Sequence, residues 1–115
     1  MIEIPLDKLL NIFNSINIKK IYSSDVFDKW FKNLRDKHAK ARILARIKRL
    51  SGGNPGDCRF LGDISELRIN YGPGYRVYFK DTGREIIILL CGGDKTTQQA
   101  DITNARKIAR FYKEE

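Results

Sequence analysis

Five side chains in the second half of the chain have the chemistry to hold a phosphate: Arg68, Arg76, Tyr78, Lys80 and Lys95. Leu67, Ile69 and Tyr71 alternate with Glu66, Arg68 and Asn70, and Tyr75, Val77 and Phe79 alternate with Arg76, Tyr78 and Lys80. That period of two marks two half-buried strands. Gly72-Pro73-Gly74 lies between them and reads as a tight turn. Antiparallel pairing across it brings Arg68 to the side that carries Arg76, Tyr78 and Lys80. Lys95 follows just beyond the next strand. Guanidinium and ammonium groups gathered in this way form a basin for phosphate oxygens. The same residues admit a plainer reading, in which Arg68 pairs with Glu66 or Asp63 and Lys80 decorates a sheet edge, as lysines often do.

Other chemistries find little to work with. His38 is the one histidine, and no Cys, His and Asp cluster has metal-ligand spacing, so neither a metal nor a Ser-His-Asp mechanism is expected. His38 reads as a solvated helix residue. Gly72-Pro73-Gly74 and Gly92-Gly93 lack the glycine-lysine-Ser/Thr pattern of a phosphate loop and read as turns. Cys58 and Cys91 stand in apolar contexts and read as buried thiols. A chain of 115 residues is one domain, and a dinucleotide-binding fold would use nearly all of it. No cofactor is therefore expected. The N-terminus shows no basic segment followed by an apolar run, and the longest apolar run, Ile86 to Cys91, is far short of the roughly 20 residues that cross a bilayer. The expected location is the cytoplasm, with no membrane partner.

The elements that must position these groups follow from periodicity and charge. There are 22 Lys and Arg against 14 Asp and Glu, a net charge of +8. Residues 29–49 hold nine cations against Asp36 alone, so this segment carries the whole excess. Val26, Phe27, Trp30, Phe31 and Leu34 recur at helical spacing, and so do Ile43, Leu44, Ile47 and Leu50. Two amphipathic helices result, the first capped by Ser24 or Asp25, the second starting at Asp36 and stopped by Gly52-Gly53. Their outer face is cationic. It is either a solvated surface or, since crowded cations repel, a docking face for a polyanion through Lys37, Lys40, Arg42, Arg46, Lys48 and Arg49, with Lys80. Lys20-Ile21-Tyr22 opens the sheet, and Glu85 to Cys91, apolar on both faces, is its central strand. Ile102, Ala105, Ile108, Ala109 and Tyr112 form the stripe of a last helix. Pro5, Leu6, Leu9, Leu10 and Phe13 suggest an extra helix in residues 1–17.

Three strings carry a family resemblance: Glu66-Leu67-Arg68-Ile69, the run from Tyr71 to Phe79 with Tyr71-Gly72-Pro73-Gly74-Tyr75-Arg76 at its head, and the run from Leu89 to Thr96. Together they resemble the HigB-like, phage Gp49-like branch of the RelE/ParE toxin superfamily, over about residues 18–112. The resemblance implies an α+β fold, with two N-terminal helices on a twisted, mainly antiparallel sheet and a C-terminal helix. It places the toxin domain at residues 18–115 and makes residues 1–17 an N-terminal extension. It also implies a helix-turn-helix antitoxin as partner, and the ribosome and messenger RNA as targets of a metal-free endoribonuclease that inhibits translation. Arg76 matches the strand arginine of RelE-like nucleases that acts on the scissile phosphate. Lys95 falls where those enzymes hold a second cation, and Arg68 lies near their basic pair. Tyr78 and Asp94 are candidates for acid/base work or base stacking. Superfamily nucleases often carry a Tyr or His near the start of the last helix, and the stretch Thr96 to Asp101 has neither. A ParE-like inhibitor of DNA gyrase, or a decayed antitoxin-binding module, is the alternative.

Overall fold

Ser24 ends the first strand and starts the first helix in one residue. Its hydroxyl accepts from the Phe27 N–H at 3.0 Å and donates to the carbonyl of Leu90 in the neighbouring strand. Strand β1 spans Lys20–Ser23 and helix α1 spans Asp25–Asn33. Asp36 caps helix α2, Lys37–Ser51, by accepting from the N–H groups of His38 and Ala39 at 2.9 and 3.1 Å. Gly52 closes it. Both capping assignments satisfy amide groups that a helix start leaves without partners. The computed structural model describes Lys8, residues 19–83 and residues 85–112. The extra helix expected in residues 1–17 lies, Lys8 apart, outside the described residues.

Four more strands follow: β2 (Cys58–Phe60), β3 (Ser65–Ile69), β4 (Tyr75–Asp81) and β5 (Ile86–Gly93). A short 3-10 helix, Lys95–Thr97, leads into helix α3, Gln98–Ala109. The sheet order is β1-β5-β4-β3-β2, with β1 parallel to β5 and every other pair antiparallel. Among the described residues the fold is therefore α+β, a five-stranded mixed sheet with helices α1 to α3. β2 is a short edge strand that periodicity alone does not separate from β3.

Two hydrophobic layers hold the sheet. Phe27, Phe31, Ile43, Ile47 and Leu50 of α1 and α2 pack with Leu67, Ile69, Val77, Phe79, Ile87 and Leu89. On the other face Ile102, Ala105 and Ala109 of α3 pack with Tyr78, Ile88, Leu90 and Cys91. The expectation of half-buried β3 and β4 is thus corrected. Glu66 and Tyr78 sit on their polar face, yet neither is exposed at all, because the start of α3 covers them.

The second correction concerns Gly92-Gly93, which reads as a turn but belongs to β5. A bulge makes the difference. Tyr78 pairs with Cys91 while Phe79 pairs with Leu89, so Leu90 is inserted and the alternation of β5 shifts by one residue. Gly92 then faces α1 and Gly93 faces α3. A Cβ on Gly92 would lie 2.3 Å from the indole ring of Trp30, and one on Gly93 would lie 1.8 Å from the Asp101 carboxylate. Glycine at these positions leaves room for the Trp30 ring on one face and for the Asp101 carboxylate and Thr97 hydroxyl on the other. Gly92→Ala should destabilise the protein by about 2–3 kcal/mol, since the indole is packed in place. Gly93→Ala should cost less, because a carboxylate can rotate away. Urea unfolding of the two variants checks the order.

Candidate cationic cleft

At one end of the central strands lies a cleft of about 230 Å³ lined by Arg68, Arg76, Lys95, Tyr75, Asn70 and Asp57, with Ile69 and Gly74. Arg68 and Arg76 are direct register partners across β3 and β4, and Arg76 faces Gly93 of β5 on its other side. Lys95 enters from the 3-10 helix just past β5. Gly74 takes φ +81°, a conformation glycine adopts without strain, and a Cβ there would touch both the Arg76 guanidinium and Lys95 at 3.5 Å. The turn thus lets three cations from three elements converge. Trp30 braces this end from below, edge-on to Tyr75 at 6.3 Å between ring centroids.

Like charges placed opposite one another in a sheet repel. Glu66 offsets this. Its Oε1 accepts from Arg68 Nε at 3.0 Å, and its Oε2 lies 3.6 Å from Arg76 Nε. The same Oε2 accepts from the Tyr78 hydroxyl at 3.1 Å and from Gln98 Nε2 at 2.9 Å. Burial pushes the Glu66 carboxyl up, and the hydrogen bonds from Gln98, Arg68 and Tyr78 outweigh it, leaving the group below the ordinary glutamate value. Burial, with the Glu66 charge beside it, drives the Tyr78 phenol well above its usual range. Arg68 thus pairs with Glu66 and also lines the cleft. Asp63 pairs instead with Arg106 at 3.1 Å.

The other sequence candidates are distributed as follows. Tyr78 lies behind the arginines and does not line the cleft. Asp94 caps the 3-10 helix, accepting from Thr96 N and Oγ1 at 2.8 and 2.6 Å, and these bonds lower its carboxyl below the usual range. Lys80 donates to the Tyr112 carbonyl at 2.9 Å, away from the cleft. On α2, Lys37, Lys48 and Arg49 are exposed, Arg42 stacks 4.5 Å over the Tyr71 ring, and Lys40 sits 5.6 Å from the Phe31 ring. Arg46 turns inward. Its Nη1 donates to the Arg68 carbonyl and its Nη2 to the carbonyls of Pro55 and Asp57 at 2.9 and 3.1 Å. Burial raises the Cys58 thiol and pushes the Cys91 thiol up to about 12, so neither is an activated nucleophile.

Glu66, Gln98 and Asp57 are the residues that sequence reasoning did not place at the site. Glu66 carried a signal, since strand alternation sets it on the same side as Arg68, two residues on. Gln98 carried none, because α3 reaches the sheet only through the tertiary fold.

A mixed five-stranded sheet clad by helices on both faces, with three cations meeting beyond the end of its central strands, defines a small α+β protein with a cationic cleft. The chain belongs to the Phage derived protein Gp49-like family, whose model matches residues 29–113. It is 50% identical over 92 residues to an uncharacterized protein of Haemophilus influenzae, covering 79% of this chain and 93% of the relative. No solved structure matches the chain. Among the described residues no helix is long and apolar enough to cross a membrane.

Proposed function

We propose that this protein is the toxin of a type II toxin-antitoxin pair with a RelE/ParE-like fold, and that it cleaves messenger RNA on the ribosome. The observation that carries this reading is the convergence of Arg68, Arg76 and Lys95 on one cleft. Membership of the Gp49-like family supports it. The reaction is metal-free transesterification: the RNA 2′-oxygen attacks the adjacent phosphorus, the 5′-oxygen leaves, and a cyclic phosphate remains. Charge grows on the phosphoryl oxygens, and cations already in place stabilise that growth without reorganising. Arg76 takes the central role, being largely withdrawn from water, and Arg68 and Lys95 share the charge. Asp57 is the acidic residue among those that line the cleft, and its carboxylate is the group proposed to accept the 2′-OH proton. The ribosome supplies RNA alignment. The antitoxin is a helix-turn-helix protein, and the setting is the cytoplasm.

The cationic face of α2 docks on ribosomal RNA through Lys37, Lys48 and Arg49, with Lys40 and Arg42 beside them. Binding by such a face releases counterions. Raising salt from about 50 to 200 mM should weaken ribosome binding by roughly tenfold to a hundredfold, which equilibrium sedimentation with ribosomes measures. Salt-insensitive binding would remove this face from docking.

A second reading, inhibition of DNA gyrase without catalysis, is favoured by one observation. Asp94 is committed to Thr96, and Asp101 accepts from Thr97 against the Gly93 backbone, so neither is among the cleft residues. Purified protein with translating ribosomes separates the two. Transcripts shortened only when ribosomes translate support the nuclease; intact transcripts with cleaved chromosomal DNA support the gyrase inhibitor.

A further inference from the structure

The cleft's two arginines turn their Nε edges to one buried carboxylate: Arg68 Nε donates to it, and Arg76 Nε stands beside it at ion-pair distance with no hydrogen-bond partner of its own. Oε1 of Glu66 takes Arg68 Nε, Oε2 lies beside Arg76 Nε, and Arg76 Nη1 donates to the Gly74 carbonyl at 2.9 Å. Among the described residues nothing accepts from either Nη of Arg68 or from Nη2 of Arg76. These donors face a cleft that also holds Lys95. The carboxylate itself is anchored from two further elements, by Tyr78 on β4 and Gln98 on α3, and is wholly shielded from water. A buried anion persists only where its lone pairs are taken, and here the scaffold takes them.

We propose that Glu66 is a positioning residue, which holds Arg68 by a hydrogen bond and Arg76 by an ion pair so that their Nη ends engage one phosphate together. The proposal rests on the reading of the cleft as a phosphate site. An arginine side chain gives up rotamer freedom when it binds, and fixing it in advance is worth roughly thirtyfold in affinity. Two arginines fixed together exceed the few-tens-fold gain that removing one nearby negative charge would give at the effective dielectric of a protein surface. Glutamine is the informative replacement. With its amide nitrogen towards Arg68 it presents N–H to an N–H, and with its nitrogen towards Arg76 it faces that buried Nε–H with a donor and no negative charge. Arg68 and Arg76, directly opposed, also lose the charge that separates their repulsion.

The test uses the whole chain and inorganic phosphate, followed through the Nε–H signals of the arginines by nuclear magnetic resonance. In the native protein both signals should exchange slowly with water and move along one phosphate-binding curve. In Glu66→Gln they should exchange as fast as that of the exposed Arg59, and phosphate should bind about tenfold more weakly, the scale of one charge-assisted hydrogen bond. Coulomb's law alone predicts tighter binding by the variant, so the direction of the change isolates positioning from charge. Equal or tighter binding by a folded variant overturns the proposal. Should the variant fail to fold, the native protein decides: fast exchange at either arginine, or a phosphate response at only one, overturns it equally. Phosphate binding is read without RNA, so absence of cleavage would reject the nuclease reading and leave this result standing.

Discussion

Replacing Arg76 with alanine should lower RNA cleavage by about a hundredfold or more and abolish growth arrest, while the protein stays folded. The size follows from where the charge sits. Arg76 is on a central strand between Arg68 and Gly93, its side chain is only 12% exposed, and its unused Nη donor belongs to a cleft with Lys95. A donor fixed in that way acts on the transition state at close range and with little screening. Stability is the necessary control, because Arg76 also pairs with a buried carboxylate. Stripping a buried charge of its partner costs about 3–5 kcal/mol. Glu66 keeps Arg68, Tyr78 and Gln98 as donors, so the loss here should stay near 1–2 kcal/mol. Arg76→Lys keeps the charge but not the planar fork, and should recover only part of the activity. Growth arrest measured beside urea unfolding separates the two effects, and full toxicity from a folded Arg76→Ala protein would take Arg76 out of the chemistry.

How far the fold was legible depended on whether its causes were local. Ser24, Asp36 and Gly52 bound their helices through contacts within four residues, so caps and apolar spacing located α1 and α2 from the sequence. Gly92-Gly93 misled because a glycine pair usually marks a turn. Its cause is Trp30, more than sixty positions earlier, together with Asp101 and a bulge that no pattern announces. Glu66 and Tyr78 looked solvent-facing by alternation, and were buried by a helix that begins at Gln98. The cleft was half legible for the same reason. A short turn between two alternating strands puts Arg68 beside Arg76, and a lysine placed just after the neighbouring strand falls at the same end of the sheet. The carboxylate that holds them required the third helix to be seen in place.

Arg46→Ala should destabilise the protein by about 2–4 kcal/mol, although charge pattern alone groups Arg46 with the solvent-facing cations of α2. It stands beside Ile47 and three residues after Ile43, at the margin of the buried stripe, so its side chain starts towards the sheet. From there one guanidinium donates to the carbonyls of Arg68, Pro55 and Asp57, joining α2 to β3 and to the segment before β2. The Asp57 carbonyl also accepts from the Arg68 N–H at 2.9 Å. Burial lowers the Arg46 pKa and nearby Arg49 adds to that, yet arginine remains charged at any ordinary pH. Alanine would take one donor from each of three carbonyls, of which that of Asp57 keeps the Arg68 N–H, and two of them belong to residues that line the cleft. Lysine has the charge without a planar fork able to span three acceptors, so Arg46→Lys should regain less than half of the loss. Lys37→Ala and Lys48→Ala, which remove exposed cations from the same helix, should change stability by no more than about 0.5 kcal/mol. Urea midpoints for the four variants test this contrast. An Arg46→Ala protein as stable as Lys48→Ala would show that the helix holds the cleft mouth without this clamp. The expected outcome is that one cation of the basic face is structural and sets the frame that holds Arg68 at the cleft.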